Sequence, residues 1–314
     1  MLMSDRIGRR LKLQDLNVFI AVVQAGSMRK AAERLNTVQP AISRSIGELE
    51  RTFGVRLLDR RRQGIEPTEY GRALLACGLA VFDDLRQGVK TIESLVDPTV
   101  GEVRVGCNAT LAASFVSVVV DRLARRYPRI VFRVVTAYVE TLYRELAERS
   151  VDLLIARRSG SIADERLNFE FLFGDSFSFV VGARNPLARR RRIELAELAN
   201  EPWVLPAPPE RVIESAAKEA FRASGLDYPR TTVFTASPEL RMSLLATGRF
   251  VSIVPDCILR FSARSLELKA LHVKQSLSSM PVGIVTLKNR TLSPVAQLFI
   301  DSAREVAKPL AKTK

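Results

Sequence analysis

The chain has 314 residues, 47% of them apolar, and carries 48 Lys and Arg against 34 Asp and Glu, a formal net charge of +14. That length divides into two or three domains rather than one, and the basic surplus points to a polyanionic partner, nucleic acid or an anionic membrane surface. Three cysteines without CxxC spacing and a single histidine argue against a zinc site, and no cofactor-binding pattern stands in their place.

In chain order, the opening stretch "MLMSDRIGRRLKLQDL" has no apolar signal core, and no later window approaches a membrane span. The expectation is a cytoplasmic protein with no membrane association. Leu13, Leu16, Phe19, Ile20 and Val23 recur at helical spacing, which predicts a helix from about Lys12 to Ala25, closed by Gly26. Ser27 is a good N-cap for a second helix that turns Ala31, Ala32 and Leu35 inward. After the turn "NTV", Pro40 sits in the first turn of a third helix, where its missing N–H costs nothing. Ile42, Ile46 and Leu49 form that helix's buried stripe, and Gln39, Pro40, Ser43 and Arg44 are left facing out.

Two short helices, a tight turn and a polar-tipped third helix follow helix-turn-helix logic, although an ordinary three-helix bundle has the same spacing. Gln pairs with adenine in the major groove, Arg with guanine, and Ser with a base or a phosphate. "VRLLDRRRQGIEPT" then reads as strand, turn and strand, a wing with Arg60, Arg61 and Arg62 entering its turn. Arginines at that place suit phosphates or a minor groove.

Residues 13 to 75 resemble the winged helix-turn-helix of LysR-type transcriptional regulators. The resemblance rests on Phe19, Gly26-Ser27, Ala31-Ala32, Gln39-Pro40-Ala41, Ser43, Leu49-Glu50, Gly54, Arg60, Thr68 and Gly71. Two positions depart from the family pattern. Val38 stands where Ser or Thr is usual, which would move the cap to Thr37, and Leu58 stands where Phe is usual. The DNA-contacting set expected on this basis is Ser27, Arg29, Thr37, Val38, Gln39, Pro40, Ser43, Arg44, Arg60, Arg61 and Arg62.

Thr68 is placed to cap a long helix running towards Asp97 and stopped by Pro98. Along it Leu75, Phe82, Val89 and Val96 fall seven apart, with Gly78, Leu85 and Ile92 in the place three further on. That is an a/d heptad seam. A helix lying on its own domain would show a similar stripe. The resemblance implies the dimer reading, and self-association to a dimer and on to a tetramer is expected.

From "GEVRVGCNAT" onwards strands and helices alternate, which predicts a parallel sheet with helices on both faces. This part resembles the effector domain of the same family, two α/β subdomains akin to periplasmic binding proteins with a cleft between them. Its landmarks are "GEVRVG", Tyr127-Pro128, "VDLLIA", "NPLA", "PWVL" and "VSIVP".

The whole is expected to be multidomain. An all-α winged helix-turn-helix head spans 1–70 and a linker and dimerisation helix 71–98. An α/β periplasmic-binding-protein-like effector domain spans 99–314, with subdomain I at about 99–172 and 274–314 and subdomain II at about 173–273.

In such folds ligands bind beyond the carboxyl ends of the parallel strands. The effector candidates are therefore Asn108, Ala109 and Thr110 after the first strand, Tyr138 after the second, Arg157 and Arg158 after the third, and Ser237 opening a later helix. Hydroxyls, amides and an arginine suit a small anionic metabolite such as a carboxylate. Thr110 and Ser237 as plain caps, with solvated arginines, is the competing account.

No nucleophile–base set or phosphate loop appears, so the chain is not expected to be an enzyme. The function expected is sequence-specific binding to double-stranded DNA, modulated by a small-molecule effector. Two alternatives stand beside it: a small-molecule sensor with no sequence-specific DNA role, and a thiol-based redox regulator using Cys107 or Cys257.

Overall fold

The computed structural model describes residues 11–61, 64–158, 164–207, 211–261, 267–275 and 277–311. Arg62 lies outside them, and for Arg60 and Arg61 the backbone alone is described. The chain forms two compact units that divide between Val89 and Lys90.

In the first unit α1 (Leu13–Ala25), α2 (Met28–Arg34) and α3 (Gln39–Phe53) pack around Phe19, Val22, Ala31, Ile42, Ile46 and Leu49, all buried. Ala31 and Ala32 face the shared core, where small side chains let helices approach closely. Each buried Leu, Ile or Phe contributes roughly 1.5–3 kcal/mol. Gly26 and Gly54 end α1 and α3 at φ 63° and 71°, the left-handed conformation that glycine takes without strain. Strands β1 (Leu58–Arg61) and β2 (Gly64–Pro67) pair antiparallel as the expected wing. Leu58, smaller than the usual Phe, is nonetheless buried in the same core.

Thr68 caps the long helix α4 (Glu69–Val96) as expected, its Oγ1 accepting from Gly71 N at 3.1 Å. A Cβ on Gly71 would stand 2.1 Å from the Leu57 carbonyl oxygen, so only glycine lets α4 start this close to the wing. The seam expectation needs correcting for its first half. Gly78 is buried against Leu16 and Ile20 of α1, and Leu75 packs on the head's core, so neither is free to meet a second chain. Leu85, Val89, Ile92 and Val96 are the members left exposed.

The second unit holds two sheets. The first runs β4-β3-β5-β12-β6, from β3 (Val100–Cys107), β4 (Arg129–Thr136), β5 (Leu153–Arg157), β6 (Leu167–Asp175) and β12 (Met280–Leu287). Strands β3, β4 and β5 are parallel, whereas β12 is antiparallel to both β5 and β6. The expected all-parallel sheet is therefore mixed. The chain leaves this lobe along β6, returns along β12, and those two crossing strands set the antiparallel half.

The second sheet runs β11-β7-β10-β8-β9, from β7 (Phe177–Gly182), β8 (Trp203–Pro206), β9 (Thr231–Thr235), β10 (Val251–Pro255) and β11 (Leu268–Ala270). Of these only β8, β9 and β10 pair in parallel. The division expected at 172 falls inside β6, which ends at Asp175; Ser176 then links it to β7 in the other sheet.

Six further segments matter for the site. After β3 come the turn α5 (Ala109–Leu111), a π-helical turn at Ala112–Val116, and α6 (Ser117–Arg126). Helix α7 (Val139–Ala147) follows β4. In chain order α8 (Leu195–Leu198) and α9 (Arg211–Ala223) come before and after β8. The last two of the six are α10 (Pro238–Ala246), beyond β9, and α11 (Asp256–Phe261), which follows β10 at once.

Candidate functional site

The head presents the amino end of α3 to solvent. Thr37, Val38, Gln39, Pro40, Ala41, Ser43 and Arg44 are all exposed, while Ile42 and Ile46 on the opposite side hold the helix in the core. Gln39 and Ser43 are one turn apart, as are Pro40 and Arg44, so the four make one face. The cap does not move to Thr37: Val38 is the N-cap residue, at φ −105° and ψ 146°, and its side chain makes no capping bond. Ser27 likewise occupies the N-cap of α2, yet its hydroxyl makes no capping bond either. Arg29 is exposed and 3.9 Å from Glu33, a solvated pair worth little to stability.

The wing is tied to the head by residues that carried the sequence pattern. Glu50 of α3 accepts from Leu57 N at 2.8 Å and Leu58 N at 3.3 Å. Thr68 Oγ1 donates to Arg56 O at 2.8 Å, and Ile65 N donates to Gly26 O at 2.9 Å. Arg60 and Arg61 thereby lie on β1 opposite Ile65 and Gly64.

In the second unit, the ends of β3, β5 and β6 and the start of α11 bring Asn108, Thr110, Arg157, Asp175 and Cys257 together. Arg157 Nε and Nη2 donate to Asp175 Oδ2 at 3.0 and 2.7 Å. Its Nη1 donates to Thr110 Oγ1 at 3.0 Å and Asn108 Oδ1 at 3.5 Å, and Nη2 also reaches Cys257 Sγ at 3.2 Å. The other carboxylate oxygen, Asp175 Oδ1, accepts from Cys257 N at 2.9 Å. Asn108 Oδ1 further accepts from Leu111 N at 2.9 Å and from the Thr110 hydroxyl at 3.0 Å.

The Arg157 side chain is 9% exposed and that of Asp175 1%. Each face of the guanidinium fork therefore meets an acceptor, and its charge is balanced by a buried carboxylate. Arg157 was expected as a spare cation for a ligand; it is an arginine already engaged.

The other effector candidates disperse. Arg158, next along the strand, points to the opposite face, with its guanidinium 4.6 Å from the Phe169 ring centre. Ser237 caps its own helix, accepting from Leu240 N at 3.1 Å and donating to Glu239. Tyr138 stands exposed at the start of α7, where its side chain makes no capping bond. Ala109 opens α5 beside Asn108, which supplies the cap.

Asp175 and Ser114 were not among the sequence candidates, and Cys257 stood there only as a redox thiol. Ser114 Oγ, in the π-helical turn, lies 3.2 Å from Cys257 Sγ and donates to Thr110 O at 2.6 Å. The phase shift of a π turn places Ser114 there, and periodicity at 3.6 does not reveal it. Burial pushes the Cys257 thiol up to about 12, outweighing the opposing pull of Arg157, and burial pushes Cys107 up to about 12 as well.

A winged helix-turn-helix in one unit and a two-lobed α/β module with a polar cluster at its strand ends in the other define a ligand-responsive DNA-binding regulator. A family model described as "Bacterial regulatory helix-turn-helix protein, lysR family" matches residues 13–72, and one described as "LysR substrate binding domain" matches residues 97–308. The chain belongs to the LysR family of transcriptional regulators.

It is 26% identical over 296 residues to the HTH-type transcriptional regulator GbpR of Azospirillum brasilense, covering 94% of this chain and 86% of that protein. Over 303 residues it is 28% identical to YdcI of Escherichia coli, an uncharacterized HTH-type transcriptional regulator, covering 96% and 98%. Its fold is similar to the crystal structure of ArgP from Mycobacterium tuberculosis, with a TM-score of 0.71 at 19% identity, covering 96% of this chain and 98% of that one. These relatives are regulators rather than enzymes. No helix among the described residues is long and apolar enough to cross a membrane.

Proposed function

We propose that α3 reads bases in the major groove through Gln39, Ser43 and Arg44, with Arg60, Arg61 and Arg62 on or near the wing meeting the phosphate backbone. The observation that carries this is the exposed polar amino end of α3, on a helix whose last turn is tied to the wing by Glu50. Base contacts set sequence choice and phosphate contacts set salt-dependent affinity. Gln39→Ala is expected to relax operator preference in gel shifts, a bidentate contact being worth roughly 1–3 kcal/mol of discrimination. Arg61→Ala is expected to weaken every site alike and to flatten the salt dependence. Unchanged preference in Gln39→Ala would remove α3 from the groove.

The protein pairs through the exposed half of the α4 seam, Leu85, Val89, Ile92 and Val96, and works in the cytoplasm. The burial of those apolar side chains against a second α4 supplies the drive, and a two-fold protein reads two half-sites. Pairing of dimers into a tetramer is the further step that family resemblance suggests.

The effector is a small anion, a carboxylate being the fitting class, received where Asn108, Thr110 and Arg157 converge. Because Arg157 is engaged by Asp175, the ligand's carboxylate takes Asp175's place on the guanidinium, and that exchange shifts the lobes. Calorimetry against a panel of carboxylates is expected to find one whose binding Arg157→Ala abolishes and Arg158→Ala leaves intact. Binding that survives Arg157→Ala would rule out this arrangement. The thiol-redox reading has little support, because Cys107 and Cys257 are buried and held protonated, whereas thiol oxidation needs an accessible thiolate.

A further inference from the structure

Val38 is the position at which this chain departs from its family at the DNA-facing end of α3, and the structure explains how the departure is tolerated. An N-cap hydroxyl accepts from the N–H of the second or third helical residue. Here the second is Pro40, which has no N–H, and the third, Ala41, donates to the Val38 carbonyl at 3.0 Å. Ile42 N also points at that carbonyl, at 3.4 Å. With no hydroxyl at position 38, the carbonyl of the same residue takes the Ala41 N–H that a capping side chain would use, so the helix start keeps that donor satisfied and the Val38 side chain has no capping role.

What it does instead follows from where it stands. Val38 is 65% exposed, although Ile42, Ile46 and Leu49 of the same helix are buried. Pro40 and Ala41 are exposed beside it, so a small apolar spot sits inside the polar group formed by Gln39, Ser43 and Arg44. An isolated exposed valine on an ordinary surface needs no explanation; this one lies at the end of the helix that carries base readout. Among the major-groove edges of the four bases, only thymine displays an apolar group, its 5-methyl. Valine is branched at Cβ and nearly fixed at χ1, so little rotamer freedom is lost when its methyls are covered.

We propose that Val38 is a specificity-determining residue that packs on the 5-methyl group of a thymine in the operator. The proposal rests on the reading that α3 enters the major groove, and it adds a base preference that hydrogen-bonding residues do not supply.

The test uses the full-length protein and an operator mapped by footprinting. Each thymine is replaced in turn by deoxyuridine, which removes the methyl and keeps every hydrogen-bonding group. Wild-type affinity is expected to fall about fourfold at one thymine position, the value of one methyl-sized apolar contact. Val38→Ala is expected to be indifferent to that same replacement. Val38→Thr, which keeps one methyl, is expected to retain the sensitivity. Two results overturn the proposal: wild-type binding indifferent to every replacement, or Val38→Ala as sensitive as wild type, which would assign the methyl contact to Pro40 or Ala41. Altered preference in Gln39→Ala on the same DNA would then leave the α3 reading standing and Val38 alone refuted. Unaltered preference in both variants would refute both.

Discussion

Replacing Asp152 by alanine is expected to lower the stability of the effector unit by about 3–5 kcal/mol, the cost of leaving a buried charge without its partner. Asp152 is fully buried just before β5. Its Oδ2 accepts from Arg104 N at 2.8 Å, and its Oδ1 faces Arg290 Nη2 at 3.2 Å and Arg104 Nη2 at 3.8 Å. Lys90 Nζ, near the end of α4, stands 3.6 Å from Oδ2 and donates to Glu102 O at 3.3 Å. One carboxylate thus gathers three cations, and Arg290 among them has no exposed side-chain surface at all.

Arg290 also donates to the Val151 and Asp152 carbonyls, at 2.6 and 3.1 Å, so it cannot swing out to water without breaking the strand's start. Domain stabilities are about 5–15 kcal/mol, so the loss is a large share. In a unit this size roughly 2–4 °C accompanies each kcal/mol, and scanning calorimetry should show the effector-unit transition falling by about 6–20 °C. Lys90→Met leaves Arg104 and Arg290 on the carboxylate and should move it far less. An Asp152→Ala transition within a degree or two of wild type would mean that the cluster contributes nothing net.

Asp152 also shows the limit of what the sequence displays. "VDLLIA" was readable as a landmark and a buried strand, but nothing in the string says that its aspartate meets Arg104 and Arg290, 48 and 138 residues away. Local chemistry was legible where local geometry decides it. Pro40 at the start of α3, Thr68 as a cap and Gly26 as the end of α1 all follow from backbone rules that act within four residues. The heptad seam was legible only in part, because the same spacing fits packing on a second chain or on the head. Gly78, which is a poor seam residue, was the signal that this turn approaches α1 instead.

Alternation along a strand could have separated Arg157 from Arg158, since neighbours on a strand face opposite ways. The mixed sheet was hidden because its antiparallel half depends on where the chain crosses between lobes, which hydrophobic pattern does not record. Asp175 was hidden for the same reason: it lies at that crossing, and its partners come from β5 and α11.

The Asp175 pair leads to the other large effect. Asp175→Asn keeps the size of the side chain and its bond from Cys257 N while removing the charge that engages Arg157. The guanidinium then lacks its balancing carboxylate in a site where its side chain is 9% exposed, and an incoming carboxylate no longer has to displace one. A hydrogen bond to a charged group is worth about 1.5–3 kcal/mol, so the cognate carboxylate is expected to bind roughly 10–100-fold more tightly to Asp175→Asn than to wild type, measured by calorimetry.

Without ligand, the same variant should be less stable than wild type, because the cation is left alone in a buried place. Ligand should then restore more than it adds to the wild-type protein. The two signs together are the signature of a competitor built into the site. Asp175 acting only as a structural brace would lower stability and weaken binding alike. If Asp175→Asn binds the carboxylate no more tightly than wild type does, the effector does not take the aspartate's place on Arg157, and the lobes are shifted by some other contact.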